Sequence, residues 1–202
     1  MKKAKIAVMV SGGGTNLQAL IDAAGRGEIP HGELTVVISN KPGVFALERA
    51  KKAGIANCVV ERKAYPDKAS FEAEVLKKLK EYDIDMIILA GFMLIFSEDF
   101  VKNYPDRIIN IHPALIPSFC GEGFYGLHVH EAALSYGVKV TGATAHYVNE
   151  VCDGGKIIAQ KAVAIEEGDT PEILQKRVME QAEWIIRPQA AEIVAKKLSE
   201  GR

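Results

Sequence analysis

Three polar side chains stand where they could act together: Asn110 and His112 in Asn110-Ile111-His112-Pro113, and Asp153 in Asp153-Gly154-Gly155. A carboxamide N–H can donate to an oxyanion. An imidazole can donate to the same oxygen or trade protons, and a carboxylate can hold and charge the imidazole. Such a set suits the passage of a carbonyl carbon from one nitrogen to another. Each residue also has a plain structural reading: a histidine at a strand end can be a satisfied structural group, and Asp-Gly is an ordinary turn.

A second candidate lies near the start of the chain. Ser11-Gly12-Gly13-Gly14-Thr15-Asn16-Leu17 follows an apolar strand and opens a helix. Backbone amides of such a turn can take an anion, aided by the partial charge of the helix N-terminus. Gly12-x-Gly14 matches the start of a dinucleotide fingerprint, but Leu17 occupies the third glycine position. Ser39-Asn40-Lys41, ending the next strand, offers no acidic group to a ribose hydroxyl. With no Gly-Lys-Ser/Thr the Walker motif is excluded. The segment reads as a phosphate or phosphoribosyl site, or else as a tight turn with Thr15 or Asn16 capping the helix. Ala90-Gly91-Phe92-Met93-Leu94-Ile95-Phe96 is a glycine turn followed by core residues, and equally an apolar wall for a flat heterocycle. His128, His130 and His146 have no cysteine or carboxylate at zinc-ligand spacing, so no metal is expected. His146 reads as a positioning group facing the site, and His130 as a packing residue.

The elements that must carry these groups alternate. Strands are expected at Lys5–Val10, Leu34–Ser39, Cys58–Val60, Met86–Ala90 and Arg107–Ile111, and helices at Thr15–Ala24, Val44–Ala53 and Lys68–Tyr82. This order implies an α/β fold, a Rossmann-like and mostly parallel sheet with helices on both faces. In such sheets ligands bind at strand carboxyl ends, where Asn110 and His112 fall. Beyond Pro113 the pattern changes: a loop at Phe119–Tyr125, a helix at His128–Ser135, then β-branched runs at Lys139–Tyr147 and Lys156–Ile165. The two runs are expected to pair antiparallel around the polar loop Asn149–Gly155. Thr170–Leu198 reads as a C-terminal helical tail, broken or kinked at Pro188.

At 202 residues, 48% hydrophobic and 25% charged, the chain suits one domain over residues 1–202. A net charge of −1 with scattered basic residues leaves no footprint for nucleic acid. The apolar runs are too short to cross a membrane or to form a signal segment, so a cytoplasmic location is expected. Cys58, Cys120 and Cys152 form no CxxC pair and read as incidental thiols of a reducing compartment. The sequence assigns no oligomeric state.

Taken together, these motifs resemble the phosphoribosylglycinamide formyltransferases, within the folate-dependent formyltransferase superfamily. The resemblance runs from Gly12 to about Pro188 in the family's order, through Ser39-Asn40-Lys41, Leu89 to Met93, Asn110 to Pro113, Leu115-Ile116-Pro117, Gly142 to His146, and Asp153 to Gly155. It implies transfer of the formyl group of 10-formyltetrahydrofolate, a co-substrate, to the amine of glycinamide ribonucleotide in purine synthesis, without a metal. It further implies Asn110, His112 and Asp153 as the catalytic set. Gly14, Thr15, Asn16 and Leu17 would cradle the phosphoribosyl end, and Glu183 would reach the ribose hydroxyls. The folate would meet Met93, Leu94, Ile95 and Phe96, with Asn110, Val151, Cys152 and Asp153 around its pterin and Lys68 nearby. Leu94 stands where some members carry arginine, Phe119–Gly126 is longer than in shorter-looped members, and Lys156 replaces a common proline. A formyltetrahydrofolate hydrolase would carry a preceding regulatory domain, whereas this chain begins at the first strand. A formyltransferase for another amine, such as one acting on aminoacyl-tRNA, would add an RNA-binding domain. A non-catalytic nucleotide module would leave the Asn110, His112, Asp153 set unexplained.

Overall fold

Runs of β-branched and aliphatic residues with no polar face form strands covered on both sides, and these build the centre of the molecule. A computed structural model describes residues 2–201. Strand β1 (Ala4–Val10) and strand β4 (Met86–Leu89) are almost wholly buried. They are flanked by β2 (Gly32–Ser39), β3 (Ala56–Val59) and β5 (Ile108–His112), then by β6 (Val140–Tyr147) and β7 (Ile157–Ala164). The sheet has seven strands in the order β3-β2-β1-β4-β5-β6-β7. β1 to β5 are mutually parallel, whereas β6 runs antiparallel to β5 and β7 antiparallel to β6.

Helices cover both faces. On one side α1 (Thr15–Gly25), α2 (Phe45–Lys52) and α7 (Trp184–Ser199) bury Leu17, Leu20, Ala46, Ala50, Ile186 and Val194 against Ile6, Val8, Ile109 and Ile111. On the other, α3 (Lys68–Glu81) lays Phe71, Val75 and Leu79 over Ala7, Met9, Ile38 and Ile87. Their spacing of four puts one apolar stripe on the sheet. The short α4 (Glu98–Val101) adds Phe100, stacked on Phe96. Further α-helices are α5 (Leu127–Tyr136) and α6 (Pro171–Val178). Among the described residues no helix is long and apolar enough to cross a membrane.

Two features position the site. Strand order reverses between β1 and β4, the switch point at which open α/β sheets form a ligand crevice outside the strand carboxyl ends. The alternation of side chains along β5 and β6 then sets facing partners: Asn110 lies opposite His146, and His112 opposite Thr144.

The C-terminal tail differs from expectation. Its irregularity is a π-helical turn at Met179–Glu183, and Pro188 lies inside the continuous α7. A proline within a helix forfeits its own N–H and crowds the carbonyl four residues before it, and the widened turn lies immediately N-terminal to that position.

Candidate active site

His112 ends β5, and the chain turns away at once through Pro113. The turn is pinned by Thr144, which is fully buried. Its hydroxyl donates to the Ala114 carbonyl at 2.7 Å and accepts from the Ile116 N–H at 3.0 Å and from the Gln160 amide at 2.9 Å. A strand-end imidazole is thereby held in the sheet instead of swinging with a loop.

Asp153 arrives from the β6–β7 loop. It takes a positive φ of 54°, and the two glycines after it are sterically required. A Cβ on Gly155 would lie 1.7 Å from the Tyr147 carbonyl oxygen, and one on Gly154 2.6 Å from a Val151 methyl. That close packing folds the carboxylate back over the sheet. Its Oδ2 lies 3.3 Å from His112 Nδ1 and accepts from the Gly121 N–H at 3.0 Å, and its Oδ1 lies 3.6 Å from His146 Nε2. Burial of Asp153 opposes ionisation. The hydrogen bond from His146, the charge of His112 and the Gly121 amide outweigh it, so the carboxyl is held below its usual range.

Both ring nitrogens of His112 face acceptors. Nδ1 meets the Asp153 carboxylate, and Nε2 lies 2.7 Å from the Phe119 carbonyl. A ring carrying both protons can donate to each. His146 donates from Nδ1 to the Tyr147 carbonyl at 2.8 Å, and its Nε2 faces Asp153 at 3.6 Å and the Asn110 amide at 3.4 Å. Asn110, His112, His146 and Asp153 therefore form one connected cluster with a carboxylate at its centre. Next to it, His130 is fully buried with neither ring nitrogen bonded. Burial, with the charge of His112, pushes its pKa down to about 4, so it packs as a neutral ring.

The thiols at the site are poor nucleophiles. Burial first, then the negative charge of Asp153, pushes Cys120 and Cys152 up, away from the reactive thiolate. All three cysteines are free and half-buried. Among the described residues no group of three His, Cys, Asp or Glu side chains could hold a metal ion.

The glycine turn lies at the carboxyl end of β1, on the same sheet edge. Gly14 is the N-cap of α1 with φ 74°, and a Cβ there would sit 2.7 Å from that of Ala46. No side chain caps the helix and no acidic residue occupies its first turn, so its amides keep their affinity for an anion. Leu17 is in the core, leaving its backbone alone to act. Thr15 and Asn16 turn to the tail: the Thr15 hydroxyl reaches Met179 Sδ at 3.9 Å, and the Asn16 amide donates to Glu183 Oε2 at 3.4 Å. The structure thus gathers Gly14, Thr15, Asn16 and Glu183.

The segment after β4 is tied to this turn. The Met93 N–H donates to Ser11 Oγ at 3.0 Å across the crevice. Met93, Ile95 and Val151 are 59%, 64% and 57% exposed, a large apolar area left on the rim. Leu94 is half-buried and Phe96 is in the core, so these four wall residues divide between rim and support. Lys68 stands apart from the Asn110, His112, His146 and Asp153 cluster, at the start of α3, 3.9 Å from the buried Glu72. That carboxylate accepts the Ser97 N–H at 2.7 Å and the Ser97 hydroxyl, fastening the end of the wall. Ser11, Glu72 and the Phe119 carbonyl carry no signal in the sequence. A serine beside glycines and a glutamate in an amphipathic helix are ordinary there, and a carbonyl is invisible by type.

Residues 4–190 match the formyl transferase family. The chain is 45% identical over 194 residues to the trifunctional purine biosynthetic protein adenosine-3 of Bos taurus, covering 96% of this chain and 18% of that protein. It thus spans under a fifth of the length of that relative. Phosphoribosylglycinamide formyltransferase of Escherichia coli (strain K12) is 39% identical over 176 residues, 87% of this chain and 80% of that protein. Among solved structures, phosphoribosylglycinamide formyltransferase from Bacillus halodurans superposes with a TM-score of 0.87 at 41% identity, covering 96% of each chain. Glycinamide ribonucleotide transformylase 1 from Symbiobacterium toebii gives 0.88 at 40% identity, covering 99% of this chain and 89% of that one.

Proposed function

The chain belongs to the formyl transferase family, and from that premise we propose that it transfers the formyl group of 10-formyltetrahydrofolate to the amine of glycinamide ribonucleotide. The reading takes residues 1–202 as one formyltransferase domain at work in the cytoplasm, with small molecules as its partners. The observation that carries it is the connected cluster of Asn110, His112, His146 and Asp153 on the same sheet edge as an uncapped glycine turn. One end suits an oxyanion and the other a phosphate. The names of the relatives supply the acceptor and the pathway.

In this reading the phosphate lies on the amides of Gly14, Thr15, Asn16 and Leu17, and Glu183 accepts from the ribose hydroxyls. The folate lies against Met93, Leu94 and Ile95, backed by Phe96, with Val151 and Cys152 closing over its pterin and Lys68 supplying charge at the far end. The acceptor amine attacks the formyl carbon. Asn110 and the doubly protonated His112 donate to the resulting oxyanion, each such donor being worth roughly 3–4 kcal/mol of barrier. Asp153 holds His112 and a bound water, through which the proton of the attacking nitrogen passes to the departing folate nitrogen as the old C–N bond breaks. The Phe119 carbonyl now accepts from His112 Nε2, so the segment carrying it moves aside when the oxyanion takes its place. No acyl-enzyme forms, in keeping with the raised thiols.

The test is absorbance-monitored release of the deformylated folate with and without glycinamide ribonucleotide. Release that depends on the ribonucleotide supports the transferase. Release without it would make the protein a hydrolase, and release only with a different amine would overturn the acceptor.

A further inference from the structure

Arg187, on α7, is 1% exposed and lies outside the catalytic cluster. Its Nη1 donates to the Leu89 carbonyl at 3.1 Å, at the end of β4, and its Nη2 to Glu183 Oε2 at 3.2 Å, while Nε has no partner. An apolar side chain of similar volume would fill this space without burying a charge, so packing does not account for a guanidinium here. Its specific effect falls on Glu183.

Glu183 Oε2 accepts from both Arg187 and, at 3.4 Å, the Asn16 amide. Oε1 has no hydrogen-bond partner, and it is not among the buried polar atoms left unsatisfied. One oxygen is therefore held inward and the other faces solvent beside the first turn of α1. The π-helical turn ending at Glu183 joins this carboxylate to Arg187 four residues on, and Arg187 in turn is anchored to the sheet at the crevice.

We propose that Arg187 is a positioning residue for the ribonucleotide: it locks the Glu183 carboxylate so that Oε1 accepts from the sugar hydroxyls of an acceptor whose phosphate occupies the glycine turn. This rests on the proposed function and adds to it the residue that sets sugar specificity. Asn16 is the second clamp on the same oxygen, so the sugar contact and the phosphate contact are built as one unit.

The experiment compares formyl transfer to glycinamide ribonucleotide and to its 2′-deoxyribosyl counterpart in wild type, Arg187→Met, Glu183→Gln and the double variant. Arg187→Met is expected to raise KM for the ribonucleotide roughly 10- to 100-fold, with kcat and the folate KM changed less than about threefold. Discrimination against the deoxy substrate should collapse with it. In the Glu183→Gln background, Arg187→Met should add little, because both changes remove the same contact. A variant with lowered thermal stability but wild-type KM and wild-type discrimination would overturn the proposal. Should Arg187→Met fail to fold, the double variant, which buries no unpaired charge, carries the test: retained discrimination there would overturn it equally. If the wild type transfers to neither acceptor, the proposed function fails instead, and that outcome is visible before any variant is made.

Discussion

The two ends of the crevice are built in opposite ways. The glycine turn is a single contiguous segment whose shape follows from Gly14 at positive φ and from its contact with Ala46. The polar cluster draws Asn110 and His112 from β5, His146 from β6 and Asp153 from the β6–β7 loop, and it exists only because an antiparallel register brings them together. The first depends on backbone space and barely on charge. The second depends on charge and register, and tolerates little change in either.

That contrast can be broken most sharply at the cluster. His112→Ala or Asp153→Asn should lower kcat by roughly 10³-fold or more with folate affinity largely kept, as steady-state kinetics and equilibrium folate binding would report. Near-normal turnover in either would remove the cluster from the chemistry. Asn110→Leu takes away one donor and is expected to cost about 10²–10³-fold in kcat, again with modest effect on KM.

At the turn the expected losses are in stability and KM. Gly14→Ala combines a left-handed backbone with a clash against Ala46 and should destabilise by about 2–4 kcal/mol in denaturant unfolding. Gly13→Ala meets no atom within 4 Å, so it should fold with stability within about 1 kcal/mol of wild type and show its effect in the ribonucleotide KM. Equal behaviour of the two variants would mean that the turn is not shaped by packing.

The smallest effect at neutral pH belongs to His130. Its folded pKa of about 4 lies below the unfolded value of about 6.5. The unfolded chain therefore binds the extra proton first, and stability is full above about pH 6.5 and is lost as pH falls towards 4, by at most about 3 kcal/mol. His130→Leu should flatten that acid limb and leave pH 7 unfolding little altered. Asp153 follows the same sign in a lower window. Its folded pKa is depressed, so its contribution is present above the ordinary carboxylate range and lost only below it. Unfolding curves from pH 7 to 3 would separate the two.

Much of this was legible in sequence because it rests on short-range pattern. The strands ending at Val10 and Leu89 follow from apolar runs, β5 from Ile108, Ile109 and Ile111, α3 from Phe71, Val75 and Leu79, and the antiparallel pair from β-branched runs around Asp153-Gly154-Gly155. The short α4 was not legible: it spans Glu98–Val101 and depends on Ser97, which the distant Glu72 orients. Nor was the π-helical turn, since Pro188 draws attention to a later point in the tail while the change in winding is taken up at Met179–Glu183.

By itself the sequence determined which strands end in polar groups and which turns demand glycine, because hydrophobic period and positive φ are properties of neighbouring residues. Only the tertiary structure decided that the Phe119 carbonyl sits on His112, that Ser11 ties the segment after β4, and that a fully buried Arg187 clamps Glu183. Those contacts link residues whose types are individually commonplace, and the free energy that selects them arises when the packed sheet excludes water from charges that no local pattern brings together.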